Sequence, residues 1–221
     1  MTADHVNTIL LDNALPPLWA LGRTAFPLFA LLAAWNLAFR SRSPGRYVAR
    51  LSVWAAVATP IYLATFGPSS LRLNPLFTLA LGVLVGWACL SRPAVRAPLL
   101  AALVLCAALE RFIGNGPLIF GTNGALLLVA LALWLRERSR LGAGLAVLSA
   151  AVLNLQPSAP RSVAGGAICL AILLAAAWAA QRRAIPKQTV PPGWLRRHGF
   201  YLYYPAHLLA LLLLWNWLHV W

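Results

Sequence analysis

Apolar residues fill this chain in long runs, separated by short clusters of Pro, Gly and Arg. Within the runs the hydrophobic period says little, because a helix that is apolar all round is buried in lipid or in protein. Run length and punctuation carry the reading, since about 20 apolar residues cross a bilayer. They predict spans at about 17–39, 47–66, 74–90, 95–113, 117–135, 141–156, 162–180 and 199–219, with a short opening segment at 2–12. The run 141–156 is short for a full crossing, which implies tilt or support from its neighbours. The fold class that follows is all-α: a polytopic transmembrane helical bundle of about eight full spans plus a short N-terminal helix. No soluble domain or internal repeat interrupts it, and the sizeable linker is 182–197, so one domain covers 1–221.

Composition agrees with the class: 61% of residues are hydrophobic and 10% charged, against about 25% charged in a soluble domain. The net charge of +14 raises the question of nucleic acid, and the placement of the cations answers it. Alternate loops carry Arg40, Arg42, Arg46 and Arg50; Arg92 and Arg96; Arg136, Arg138 and Arg140; and Arg182, Arg183, Lys187, Arg196 and Arg197. The other side has Arg72, Arg111 and Arg161, with Arg23 inside a span. This asymmetry is the positive-inside rule, so the loops at 40–50, 91–96, 136–140 and 181–197 are expected to be cytoplasmic. A basic patch interleaved with aromatics for nucleic acid is not required.

Polar residues inside the apolar runs are the candidate chemistry, because an ionisable group there is expensive and by default faces protein or a water-filled cavity. His207 follows Tyr203, Tyr204 and Pro205 in the last span; it shares a helix face with both tyrosines, and Pro205 frees the carbonyl of Tyr201. About 13 Å of helix separates it from His198, so interfacial duty explains it poorly. Asp4 and His5 are adjacent, point about 100° apart on a helix, and so each looks to a different neighbour; an exposed terminus is the plainer reading. Arg23 precedes Pro27, which leaves the carbonyl of residue 23 without its helical donor; the plainer alternative is an arginine snorkelling to the interface. Glu110 and Arg111 either cap a helix near the 114–117 turn or reach a site, and Asn74 with Thr78 fits helix capping and backbone bonding. Cys89, Cys106 and Cys169 lie in apolar runs without ligand spacing, as small hydrophobes do, so no metal is expected.

Taken in order, Asp4-His5, Gly22-Arg23 with Phe26-Pro27, Tyr47 with Arg50-Leu51, Leu73-Asn74 with Phe77-Thr78-Leu79 and Gly82, and Tyr204-Pro205-Ala206-His207-Leu208 resemble the motifs of the TraX family. That family includes the pilin acetylase of conjugative plasmids and looks related to the acyltransferase-3 type of multi-span acyltransferases. The resemblance covers nearly the whole chain and implies a bacterial cytoplasmic-membrane enzyme moving an acetyl group from acetyl-CoA to an amine or hydroxyl, on a pilin-like protein or an envelope glycan.

On that reading His5 is the base, since histidine titrates near neutrality, with Asp4 as its orienting carboxylate or an electrostatic support. Arg23 stabilises an oxyanion or pairs with Asp4, and His207 is a proton relay or acceptor-positioning group. Glu110 stands where relatives show an Asp-Tyr-Gly-like stretch. Arg46 and Arg50 share a face, and with Arg40 and Arg42 they are candidates for the phosphates of CoA; topogenic charge explains them equally well. The resemblance also predicts a start upstream of Met1, because the family's first span begins before the Asp-His pair. The competing function class is a proton-coupled transporter or flippase that uses the same buried His, Asp and Arg groups.

Overall fold

The computed structural model describes residues 1–67, 73–113, 118, 120–154, 161–182 and 194–220. Arg72, the predicted turn at 114–117, and Arg183 and Lys187 of the last basic loop lie outside the described residues. The chain is helical: α1 (Thr2–Ile9), α2 (Pro16–Gly22), α3 (Ala25–Trp35) extended by a π turn (Asn36–Arg40), α4 (Pro44–Phe66), α5 (Pro75–Ser91), α6 (Pro93–Ile113), α7 (Gly121–Glu137), α8 (Arg140–Asn154), α9 (Arg161–Gln181) and α10 (Trp194–Val220). Prolines open four of them, at Pro16, Pro44, Pro75 and Pro93, where a missing N–H costs nothing and the fixed φ suits the first turn.

The described residues hold fewer full spans than the eight expected. Among the described residues three stretches are long and apolar enough to cross a membrane: Pro16–Arg40, Pro44–Phe66 and Pro93–Ile113. The apolar helices α5, α7 and α8 have 17, 17 and 15 residues, or about 22–26 Å, short of a hydrocarbon core of about 30 Å. The physical reason is clearest in α7. Every residue from Gly124 to Leu133 is buried, with α3, α5, α6 and α8 packed around it. Its apolarity therefore serves contact with protein rather than with lipid. The predicted 17–39 span matches the Pro16–Arg40 stretch, with a break between Gly22 and Ala25 that divides it into two helices.

Small residues let the central helices approach closely, as in membrane bundles generally. A Cβ on Gly124 would lie 2.8 Å from Thr78 Cγ2 and 2.9 Å from Phe26 Cζ, and one on Gly82 would lie 2.9 Å from Leu128 Cβ. Asn74, fully buried, ties α5 to α4. Its Oδ1 accepts from Leu76 N at 3.0 Å, and its Nδ2 donates to the Ala55 carbonyl at 2.7 Å and to Thr59 Oγ1 at 3.0 Å. This is the capping role that its position predicts. Thr78 differs, because its buried hydroxyl has no hydrogen-bond partner among the described residues.

Helices α4 and α10 run side by side in the same direction. Trp54 packs against His198 and Tyr201 near one end, while Phe66 and His207 both meet His5 near the other. The bundle thus has an arginine-rich end and, along the same helices, an end that gathers the buried polar groups.

Candidate functional site

Adjacent positions on α1 diverge, so Asp4 and His5 reach different helices. His5 turns to α10, where its Nδ1 lies 2.9 Å from Nε2 of His207. The ring planes differ by 3° and the centroids are 5.1 Å apart. That separation is nearly the greatest a 2.9 Å nitrogen contact permits, so the rings lie edge to edge in one plane and are not stacked face on.

Proton positions follow from the partners. His207 Nδ1 lies 2.8 Å from the Tyr203 carbonyl, and a carbonyl only accepts. Nδ1 of His207 therefore carries the hydrogen, and in the neutral ring Nε2 is the acceptor. His5 Nδ1–H donates to it. The outcome is a directed chain in which Nε2 of His5 keeps its lone pair and has no partner among the described residues. Around the pair, Tyr203 stacks on His207 with centroids 5.0 Å apart, Tyr204 and Phe66 meet the imidazoles edge on, and the Thr2 hydroxyl bonds the Tyr203 hydroxyl.

His5 and Asp4 line a small cavity with Gly22, Phe26, Leu79 and Tyr204 among its other walls. About 60 Å³ of it is open to the centre of a water molecule, room for roughly four to six waters. Asp4 seats against Gly22, where an added Cβ would fall 2.1 Å from Asp4 Cβ; only glycine permits that approach. The expected orientation of His5 by Asp4 is thus replaced, since the nitrogen that a carboxylate would hold is bonded to His207. Arg23 lies over Trp19, 4.5 Å from the ring centroid, with its buried Nε unpartnered among the described residues. It is not a wall of the cavity and makes no ion pair with Asp4 within 4.0 Å.

Glu110 is elsewhere. Its Oε2 accepts from Thr122 N at 2.6 Å and Thr122 Oγ1 at 3.0 Å, which caps the first turn of α7 and complements its dipole. Arg40, Arg42, Arg46 and Arg50 are exposed at the arginine-rich end and line no part of the His5 cavity. Arg50 lies against Tyr201.

Asn7 was not foreseen. It is fully buried one helical turn beyond Asp4, its Oδ1 accepts from Leu15 N at 2.8 Å, and its Nδ2 is unpartnered among the described residues. An amide three residues beyond Asp4 on a short, mostly uncharged helix was its only signal. Phe26, part of the Phe26-Pro27 motif, stacks 3.9 Å from Phe120 at the start of α7, and Phe120 had no such signal.

Apolar helices around a part-buried, hydrogen-bonded histidine pair define a membrane-type helical protein. Residues 1–215 of the 221 match the family described as TraX protein, and the chain belongs to the TraX family. No curated protein and no solved structure matches the chain.

Proposed function

We propose that the protein is a membrane-embedded acetyltransferase of the bacterial cytoplasmic membrane, moving an acetyl group from acetyl-CoA to an amine or hydroxyl of a pilin-like protein or envelope component. The observation that carries the reading is the His5–His207 bond beside a small cavity that His5 lines, with Nε2 of His5 unpartnered among the described residues and so able to act as a base. Membership of a family associated with pilin acetylation supports the choice of reaction.

In this mechanism His5 Nε2 removes the proton from the attacking N–H or O–H as it adds to the thioester carbonyl. Positive charge arriving on His5 is shared with His207, because the Nδ1 proton of His5 moves along the 2.9 Å bond to Nε2 of His207. His207 then holds both ring protons, with Nδ1–H still on the Tyr203 carbonyl. The tetrahedral intermediate collapses with loss of the CoA thiolate, which takes back one proton. The products are the acetylated acceptor and CoA. His207 thus works through His5, spreading a charge that a dry site would otherwise oppose.

The test is acetyl transfer from labelled acetyl-CoA by the purified protein in lipid nanodiscs, offered pilin-like peptides and envelope fractions. His5→Ala is expected to lower the rate by about 10²- to 10⁴-fold, the usual worth of a positioned base, and His207→Ala by less. Transfer at the wild-type rate in both variants would remove the pair from the reaction.

A further inference from the structure

A second cavity opens at the arginine-rich end of the same helices. It measures about 480 Å³, within the range of about 300–1,000 Å³ typical of small-molecule sites. Its walls come from the π turn and the residues after it (Leu37, Ala38, Ser41), from the end of α5 (Trp87, Ser91) and from the end of α7 (Arg136). A π turn is rare and concentrates at functional positions. Here it turns the Ala38 carbonyl to Arg136 Nη1, 3.1 Å away, which holds that guanidinium at the cavity wall.

Arg136 is the cation among its walls, and further arginines adjoin other wall residues in sequence. Arg40 and Arg42 flank Ser41, Arg92 follows Ser91, and Arg138 follows Glu137. The acid in the wall, Glu137, is already paired with Arg96 at 2.7 Å. Trp87 is 37% exposed and offers a flat face on which a purine stacks. Guanidinium groups suit phosphate oxygens. We infer that this cavity holds the phosphate-bearing adenosine end of the acyl donor, with Arg136 on phosphate and Trp87 under the base. The inference rests on the acetyl-transfer reading for the identity of the donor.

The His5 cavity admits an acetyl group but not a nucleotide. Between the two cavities the nearest walls are Phe29 and Leu37 on the α3 side, and Leu79 and Trp87 on α5. Each pair is eight residues apart, about 12 Å of rise, or roughly four residues of extended chain. Pantetheine, a flexible arm of amide units, is of that order. The buried interval includes Ala30, Ala33, Ala34, Val83 and Gly86.

Binding is measured apart from chemistry, by titrating adenosine 3′,5′-bisphosphate and desulfo-CoA into the full chain in nanodiscs of zwitterionic or of anionic lipid. Arg136→Gln and Trp87→Leu are each expected to weaken binding, by about ten- to hundredfold for the arginine contact. Arg111→Gln, which removes the same charge at the opposite end, is expected to leave it unchanged. Thermal unfolding of each variant checks that it folds. Saturable binding indifferent to both Arg136→Gln and Trp87→Leu overturns the placement, as does nucleotide binding in neither lipid. Binding abolished only by anionic lipid would make this a lipid-headgroup site and overturn the inference too. Nucleotide binding with the expected losses, but no acetyl transfer to any acceptor, would sink the proposed reaction and leave this site standing.

Discussion

The two ends of α3 and α5 do opposite things with the same kind of helix. At one end a cavity of about 60 Å³ is lined mostly by aromatic and aliphatic side chains, and His5 in its wall is held in a fixed proton order by His207. At the other a cavity of about 480 Å³ lies among arginines with one paired acid. The first suits chemistry, which needs excluded water and a set proton direction. The second suits recognition of charge, which tolerates solvent and a range of poses. Separating them spares the histidine pair from a nearby cluster of cations, which would oppose its taking up a proton.

The sharpest way to break the comparison is His5→Ala, read twice. Transfer should fall by about 10²- to 10⁴-fold while the affinity for adenosine 3′,5′-bisphosphate stays at the wild-type value; a parallel loss of affinity would mean the two ends are one site. Next in size is Gly22→Ala. The new Cβ would meet Asp4 at 2.1 Å, and overpacking of this kind costs about 1–3 kcal/mol. The midpoint of thermal unfolding in detergent should drop accordingly, and an unchanged midpoint would show that α1 moves aside freely.

Asn74→Ala removes an N-cap and two bonds to α4, with an expected cost of about 0.5–2 kcal/mol and a lower midpoint. Its effect bears on how firmly α5, which carries walls of both cavities, is held. The smallest change expected is Glu110→Gln. It keeps an acceptor for Thr122 but loses the charge at the start of α7, worth about 0.3–1 kcal/mol. A drop in acetyl transfer beyond what that loss of stability explains would return Glu110 to the reaction.

Much of this was legible in the residues. The spans predicted to begin at about 17, 47, 74 and 95 start within three residues of Pro16, Pro44, Pro75 and Pro93, and Arg23 with Pro27 marked an interruption that became the break between α2 and α3. The divergence of Asp4 and His5, and the need of His207 for a partner on another helix, followed from helical geometry and the cost of burying an ionisable group. The span count was misread because an apolar run looks the same whether it meets lipid or protein, and α7 meets protein. For Arg40, Arg42, Arg46 and Arg50, sequence spacing shows which cations share a helix face and not which cavity that face adjoins.

The chain alone determined a helical, membrane-type fold, the uneven distribution of its arginines, and a short set of buried polar groups too costly to be incidental. Those properties are local, since each depends on a run of residues or on neighbours three and four apart. Tertiary structure decided which of the polar groups meet. His5 and His207 are 202 positions apart, and their bond depends on the register of α1 against α10. That register in turn needs Asp4 seated on a residue without a Cβ. The proton order within the pair depends on one carbonyl, that of Tyr203, and no pattern of residue types encodes where a distant ring will lie relative to it.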